Sequence, residues 1–211
     1  IFGWPDKTAD FESFYPTSVL ETGHDILFFW AARMIMFGRF ATGKYPFKTV
    51  YLHGMVHDEH GKKMSKSKGN GIDPLDISQQ YGTDAFRLSL VMGSTPGNNV
   101  NIGEDKIAGC RNFCNKLWNI SRFILSQEKI SEDEKEKKTD LQDWILAKRN
   151  RLVQEVGEDL EKYQFGTAAE KLWQFTWDDF ADWAIEAAKA EKNSQTQSLL
   201  RETLEILLKL W

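Results

Sequence analysis

The stretch of this sequence with the most distinctive chemistry is residues 61–70, which read GKKMSKSKGN and are called the lysine loop below. It holds four lysines, two serines and two glycines and no acid, so it carries a charge of +4 in a chain of net charge −4. Ammonium, hydroxyl and backbone amide groups can hold a polyphosphate and neutralise the charge that grows on a departing pyrophosphate. Composition alone also allows a plainer interpretation, a solvated lysine-rich hairpin without a ligand.

The residues around the lysine loop predict the elements that position it. Residues 49–56 (TVYLHGMV) are short, apolar and β-branched, which predicts a buried strand directly upstream. Residues 58–71 have no apolar period and predict a loop. Asp73 followed by Pro74 predicts a helix start, because aspartate caps a helix and proline fits its first turn. A second short helix is predicted over residues 83–92.

Further upstream, Asp25 can cap a helix that runs to about Phe40 and is apolar on most faces, as in a helix packed inside an α/β layer. Its apolar run, residues 26–37, contains Arg33 and is shorter than the roughly 20 residues of a membrane span. We therefore expect a core helix and no membrane partner. Helix, strand, loop and helix together predict one α/β half of a Rossmann-type nucleotide-binding fold.

The rest of the chain predicts an all-α helical bundle. Residues 94–101 (STPGNNVN) have turn chemistry, residues 131–140 (SEDEKEKKTD) are a solvated charge run, and apolar stripes at helical spacing follow. Gly166 is expected to separate two of the helices. We divide the chain into an α/β part (1–93), a connecting helix and linker (94–138) and a truncated helical domain (139–211).

Composition limits the class of protein. With 211 residues, 41% hydrophobic and 27% charged, the chain is long enough for one or two domains and is neither disordered nor a disulfide scaffold. Its two cysteines, Cys110 and Cys114, lie four apart on one predicted helix face and suit core packing in a reducing, cytoplasmic compartment. The chain begins without Met and ends within a helical pattern, so we expect a piece of a longer polypeptide.

Residues 63–67 read KMSKS, the signature of the class I aminoacyl-tRNA synthetases, and the chain resembles that family. The strand with its His-Gly pair stands just upstream, where the family receives adenine. The resemblance is to the valyl branch and runs from about residue 2 to 189. The isoleucyl branch is the next alternative within the family. It rests on residues 22–30 (TGHDILFFW), 84–87 (DAFR), 111–119 (RNFCNKLWN) and 177–180 (WDDF).

The resemblance implies that valine and ATP, accompanied by Mg²⁺, form valyl-adenylate, and that the valyl group then passes to tRNA(Val). Lys63 and Lys66 would stabilise the transition state as catalytic residues. Gly23 and Asp25 would bind ribose, and Trp30 would wall the valine pocket. The remaining implied ATP contacts are His53, Gly54, Val56, Met64, Ser65, Lys66 and Ser67.

The helical half is implied to contact tRNA, since lysine and arginine supply salt-sensitive phosphate contacts. The candidates are Arg87, Arg111, Asn115 and Lys116, followed by Lys148, Arg149 and Arg151. No protein-bound metal is implied, and we interpret residues 57–60 (HDEH) as the approach to the lysine loop rather than as a metal site.

One part of the family pattern is absent from this sequence: the His-Ile-Gly-His-like signature of the first half of the nucleotide fold. The inserted editing domain is absent too. We therefore expect this piece to be inactive alone and to need the N-terminal remainder of the same synthetase. Three alternatives stay open here: a non-catalytic tRNA-binding module, a small nucleotidyltransferase of the same superfamily, and a purely structural helical protein.

Overall fold

The computed structural model of the chain describes residues 2–65, 67, 69–127, 138–191 and 193–211. The predicted catalytic residue Lys66 lies outside the described residues, as does most of the predicted charged linker.

The N-terminal half is built around two parallel strands. After a short helix α1 (Ala9–Phe14), strand β1 (Thr17–Gly23) pairs with strand β2 (Phe47–His53) from Thr17 beside Phe47 to Gly23 beside His53. A parallel pair requires a long crossover connection. Here it consists of a 3₁₀ turn (His24–Ile26), a π-helical turn (Leu27–Ala31) and helix α2 (Ala32–Thr42).

Strand β1 corrects the sequence analysis, which assigned no strand to residues 17–23. The stretch TSVLETG is short and mixes polar with apolar residues, so its own pattern is weak. Pairing with β2 satisfies its backbone groups and buries Thr22 and Gly23. The strand predicted over residues 49–56 exists, but it starts at Phe47 and ends at His53.

The predicted helix from Asp25 to Phe40 is observed as the 3₁₀ turn, the π-helical turn and α2 in succession, ending at Thr42 before Gly43 with φ +73°. Its expected burial on most faces is wrong for this chain. Phe28 is 79% exposed, Phe37 71% and Phe40 91%. Among the described residues, none shields this face. An apolar surface of this kind marks a contact site.

The elements on either side of the lysine loop follow the prediction closely. Helix α3 (Pro74–Tyr81) begins where expected, with the Asp73 carboxylate accepting from the Leu75 amide at 2.8 Å. Helix α4 (Thr83–Val91) follows. A two-residue strand β3 (Val56–His57) precedes the loop and pairs in parallel with β4 (Val100–Asn101). The prediction that residues 94–211 are all-helical is therefore wrong at β4, which lies within the stretch of predicted turn chemistry.

The remaining helices form the expected bundle. They are α5 (Glu104–Ser126), α6 (Asp140–Glu161), a continuous helix made of α7 (Phe165–Gln174), a π-helical segment (Phe175–Ile185) and α8 (Glu186–Ala190), and α9 (Ser194–Leu210). Their core contains Val156, Phe180 and Leu207, each 0% exposed. Thr139 and Gln142 form a capping box at the start of α6. The Gln142 amide also donates to Thr196 Oγ1 at 2.9 Å, tying α6 to α9.

Gly166 has a different role from the predicted one. It lies inside α7, next to the helix start, instead of separating two helices. A Cβ added there would stand 2.0 Å from the carbonyl oxygen of Ser94. Close approach of two backbones therefore requires glycine at this position.

The bundle core gives a stability prediction. Leu207 is fully buried, whereas its neighbour Leu208 is 51% exposed on the same helix. Leu207→Ala removes buried methyl groups and leaves a cavity, so we expect it to lower the free energy of unfolding by about 3 kcal/mol. Leu208→Ala, the matched control, should lower it by less than about 1 kcal/mol. Urea denaturation followed by circular dichroism measures both. Equal losses would contradict the described packing of α9.

Candidate active site

The candidate site lies where β1 and β2 end. Gly23 and His53 are the last residues of the two strands and stand opposite each other in the register. In open α/β sheets, ligands bind outside the carboxyl ends of parallel strands. The predicted nucleotide residues Gly23, Asp25, His53 and Gly54 therefore all lie at the edge of the sheet where such a ligand is expected.

Gly23 is closely confined by its neighbours. A Cβ at this position would stand 2.8 Å from Asp25 Oδ1 and 3.5 Å from His53 Nε2. A larger residue would displace the Asp25 carboxylate, which follows the strand in the 3₁₀ turn. The glycine thus keeps a carboxylate and an imidazole next to each other at the strand ends.

The His53 ring has an acceptor oxygen beside each of its nitrogens. Its Nδ1 lies 3.0 Å from the Gly54 carbonyl oxygen, and its Nε2 lies 3.4 Å from a carboxylate oxygen of Glu21. The sequence analysis did not single out Glu21. Glu21 lies two residues before Gly23 on β1 and therefore on the same face of the strand. That spacing is the sequence signal that could have identified Glu21.

Gly54 meets the protein's own backbone. A Cβ there would lie 1.6 Å from the Asn98 carbonyl oxygen. The turn around Asn98 is held beside β2, since the Gly97 amide donates to the Leu52 carbonyl at 2.8 Å and the Met55 amide donates to Asn99 Oδ1 at 3.0 Å. This packing is sufficient reason for glycine, and its contact with adenine stays a prediction.

The lysine loop is anchored to this framework by backbone pairing and by one side chain. His57 and Lys63 form an antiparallel bridge, and the Met64 amide points at the Val56 carbonyl oxygen at 3.4 Å. The Met64 side chain packs on the small core formed by Ile77, Ile102 and Ile107. Met64, predicted as an ATP contact, thus also fastens the loop to α3 and α5.

Asp58 and Asn70 connect the two ends of the loop. Asp58 Oδ1 accepts from the backbone amides of His60 at 3.1 Å and Lys62 at 2.8 Å. Asp58 Oδ2 accepts from Asn70 Nδ2 at 2.8 Å, and Asn70 Oδ1 accepts from the Ser65 amide at 3.0 Å. These donors lower the pKa of the Asp58 carboxyl, the Asn70 amide being the largest cause.

The loop reaches the strand ends through one ion pair. Lys63 Nζ lies 3.3 Å from Asp25 Oδ2, with both side chains about half exposed. The hydrogen bond from Lys63 lowers the pKa of the Asp25 carboxyl. The predicted phosphate-binding loop and the predicted ribose-binding aspartate are therefore in direct contact. Ser65 and Ser67 are also near each other, with their hydroxyl oxygens 3.3 Å apart.

Comparison with known proteins decides the family. The family model described as tRNA synthetases class I (I, L, M and V) matches residues 1–103, and the model of the anticodon-binding domain of tRNA ligase matches residues 142–211. The chain belongs to the class I aminoacyl-tRNA synthetases. The synthetase family, the α/β half-fold and the helical bundle predicted from the sequence are thereby confirmed.

Similar proteins agree with the valyl branch. The chain is 44% identical to a valine–tRNA ligase of Clostridium tetani over 97% of this chain and 24% of the relative. It is 48% identical to a valine–tRNA ligase of Syntrophotalea carbinolica over 99% of this chain and 24% of the relative. The chain thus spans about a quarter of the length of these relatives.

Solved structures share the fold at lower identity. A LeuRS from Agrobacterium radiobacter, in a ternary complex with tRNA and LeuAMS, superposes with a TM-score of 0.76 and 22% identity over 97% of this chain and 27% of that one. The methionyl-tRNA synthetase of Mycobacterium tuberculosis, in complex with methionyl-adenylate, superposes with a TM-score of 0.75 and 23% identity. The match covers 99% of this chain and 43% of that one.

In this synthetase chain, Trp30 lies in the π-helical turn that follows Asp25, and it is 57% exposed. It is close in sequence to the candidate site and belongs to the uncovered apolar face described above. Its role in a valine pocket stays a prediction.

The predicted tRNA contacts of the synthetase differ in their surroundings. Arg87 and Asn115 are exposed, and Arg111 lies over the Tyr81 ring at 5.7 Å. Lys116 Nζ is 2.8 Å from Asp182 Oδ1 and 3.8 Å from the centre of the Trp177 ring. Lys116 would have to exchange this pairing to reach a phosphate. The further candidates Lys148, Arg149 and Arg151 pair with Asp179, Glu202 and Glu155.

Within the described part of the chain, the His, Cys, Asp and Glu side chains include no group of three or more that could hold a metal ion. None of its helices combines the length and apolarity needed to cross a membrane. Burial raises the pKa of both thiols, Cys110 and Cys114. An apolar cavity of about 740 Å³, lined partly by Arg87, Trp118 and Trp211, lies among α4, α5, α6, α7 and α9.

The ion pair at the site predicts a change in a titration. Lys63→Met removes the cation beside Asp25, so we expect the pKa of Asp25 to rise toward its ordinary value of 3.8. In the unchanged chain, the stabilisation from this lowered pKa is present above that ordinary value and is lost as pH falls through the folded-state pKa. Carbon-13 NMR of labelled aspartate carboxyls measures the shift.

Lys62→Met is the matched control, because it removes an adjacent exposed lysine and leaves Lys63 beside Asp25. An Asp25 titration that responds equally to both substitutions would contradict a specific ion pair.

Proposed function

We propose that this chain is part of a valine–tRNA ligase, which joins valine to tRNA(Val) with ATP as the energy source and Mg²⁺ accompanying the nucleotide. The observation that carries the proposal is the 3.3 Å contact between Lys63 of the KMSKS sequence and Asp25 at the strand ends. It joins a polycationic loop to a carboxylate at the sheet edge where nucleotides bind. The valine specificity is supported by relatives 44% to 48% identical that are valine–tRNA ligases.

The first step is adenylate formation. A carboxylate oxygen of valine attacks the α-phosphorus of ATP, the bond to the bridging oxygen breaks, and pyrophosphate leaves with that bond's electron pair. The carboxylate is already a nucleophile at neutral pH, so no general base is required. Catalysis then depends on positioning the reactants and on neutralising negative charge in the transition state.

The described residues suit these two tasks. Asp25 offers carboxylate oxygens to ribose hydroxyls, since charge-assisted hydrogen bonds of this kind are strong. Lys63 lies beside Asp25, and Lys66 stands three residues further along the loop in the sequence. Both supply positive charge to the phosphates. Lys63 and Asp25 contact each other, so the binding of both groups to ATP requires that this contact be exchanged for contacts with the nucleotide.

The second step transfers the valyl group to the terminal adenosine of tRNA(Val). We assign tRNA contact to the helical half, because residues 142–211 match an anticodon-binding domain. We also propose the division into residues 1–93, 94–138 and 139–211. Exposed Arg87 and Asn115 are better placed for direct contact than Lys116, whose ammonium is already paired with Asp182.

The remainder of the same synthetase is the proposed partner of the uncovered apolar face. Phe28, Phe37 and Phe40 are exposed on the crossover helices, and the chain spans about a quarter of its relatives. The sheet described here has only the pair β1 and β2 at the candidate site, whereas a stable sheet needs further strands or packing. Missing parts of the catalytic domain would cover both.

The lysine loop gives the direct test of the proposed function. In the full-length synthetase, Lys66→Ala should reduce kcat for valine-dependent ATP–pyrophosphate exchange about 100-fold or more, with the KM for valine little changed. The reason is that Lys66 neutralises charge that develops only in the transition state. Lys44→Ala removes an exposed lysine on the turn after α2 and is the control. An undiminished rate for Lys66→Ala would refute the assigned role.

A second prediction concerns the isolated chain of 211 residues. We expect it to show no valine-dependent ATP–pyrophosphate exchange, because it lacks the first nucleotide-binding signature and leaves an apolar face uncovered. The full-length synthetase assayed beside it should be active. Exchange activity in the isolated chain above the no-enzyme background would overturn this expectation.

A further inference from the structure

We infer that Asp58 and Asn70 are paired positioning residues that hold the lysine loop in the arrangement needed for adenylate formation. The inference rests on the proposed function and adds two residues to it. Neither is assigned a contact with the reactants. Both act through the loop that carries Lys63.

Asp58 fixes the entry to the loop. Its backbone amide donates to the Lys62 carbonyl at 2.9 Å, and its carbonyl accepts from the Gly61 amide at 2.9 Å, which closes a tight turn. Gly61 has φ +74°, a left-handed conformation that favours glycine. The Asp58 carboxylate also accepts from the amides of His60 and Lys62. One side chain therefore orders the whole turn before Lys63.

Asn70 fixes the exit from the loop and returns to the entry. Its amide nitrogen donates to Asp58 Oδ2 at 2.8 Å, across twelve positions of sequence, and lies 3.4 Å from the Lys63 carbonyl oxygen. Its amide oxygen accepts from the Ser65 backbone amide at 3.0 Å. The side chain thus joins three points of the loop: its start, Lys63 and Ser65.

The chemistry of the two side chains fixes the direction of this link. An ionised carboxylate only accepts hydrogen bonds, so Asn70 must present its NH₂ to Asp58 and its oxygen to Ser65. The Asp58 carboxyl is ionised at neutral pH, since an ordinary aspartate pKa of 3.8 already ensures this and that of Asp58 is lowered further. An aspartate at 70 would oppose one carboxylate to another, and an asparagine at 58 would oppose one NH₂ to another.

The link matters for catalysis because it adds side-chain hydrogen bonds to the backbone pairing, the Met64 packing and the Lys63–Asp25 ion pair that also hold the described part of the loop. Of its side chains, Met64 packs on the small core, whereas Lys62 and Lys63 are exposed. A loop released from Asn70 keeps its lysines but loses their preorganised positions. When a charge-stabilising group is misplaced by about an ångström, the rate of the chemical step falls far more than the affinity for substrate.

The test uses three variants of the full-length synthetase: Asp58→Asn, Asn70→Asp and the double swap. Each single change opposes two like groups, so we expect kcat for valine-dependent ATP–pyrophosphate exchange to fall at least about tenfold. The KM for valine should stay within about twofold. The swap restores one donor facing one acceptor, and kcat should return to within about threefold of the unchanged enzyme.

Trypsin cleavage after the loop lysines gives a second readout that does not depend on valine. We expect faster cleavage in each single variant and near-normal cleavage in the swap, since a released loop is more accessible. Glu59→Gln is the matched control, as it makes the same carboxylate-to-amide change at the exposed neighbour of Asp58. It should leave both readouts unchanged.

Three results would overturn the inference. The first is normal kcat in the single variants, and the second is a swap no better than the worse single variant. The third is a fall in kcat that is accounted for by a fall in the thermal stability of the variant. Failure of the proposed function is a separate result. It would appear as absent valine-dependent exchange in the unchanged full-length enzyme, while the cleavage pattern of the variants would still test the link between Asp58 and Asn70.

Discussion

The site depends on one contact between opposite charges, Lys63 with Asp25, made where two parallel strands end. Exposed ion pairs contribute little to folding stability, because water solvates both partners almost as well. The importance of this pair is its position. It brings a loop of charge +4 to the edge of the sheet where the backbone turns away and a ligand has room. Under the proposed function, the cation would serve the phosphates and the carboxylate would serve the ribose of the same nucleotide.

Holding a cationic loop in place requires a rigid support on the other side, and the helices supply it. Met64 fastens the loop to the small core made by Ile77 of α3, Ile102 just before α5 and Ile107 of α5. Asp58 and Asn70 tie the loop to itself. Gly166 then lets the bundle approach the turn at Ser94 closely. The α/β half and the helical half are thus joined by this close packing of backbones.

Local sequence patterns predicted much of this arrangement. The start of α3 followed from Asp73 and Pro74, whose capping chemistry involves only near neighbours. The stripes of the bundle helices followed from helical period. Strand β1 did not, because its stability comes from pairing with β2, whose partner residues lie 30 positions away in sequence. Gly54 and Gly166 were identified as special, but each is required by a carbonyl oxygen of a distant turn, Asn98 or Ser94, that no local pattern reveals.

The sequence by itself determined the chemistry available: a run of lysines and hydroxyls, a carboxylate in a glycine turn, and the synthetase family they resemble. These are properties of residue types and spacing, which survive without a fold. Only the tertiary structure decided which groups meet. It placed Lys63 against Asp25, added Glu21 beside His53, and joined Asp58 to Asn70, because side chains far apart in sequence become neighbours only when strands pair and a loop closes. It also showed that the apolar crossover helix is uncovered within the described residues, since burial depends on what packs against a surface and not on its composition.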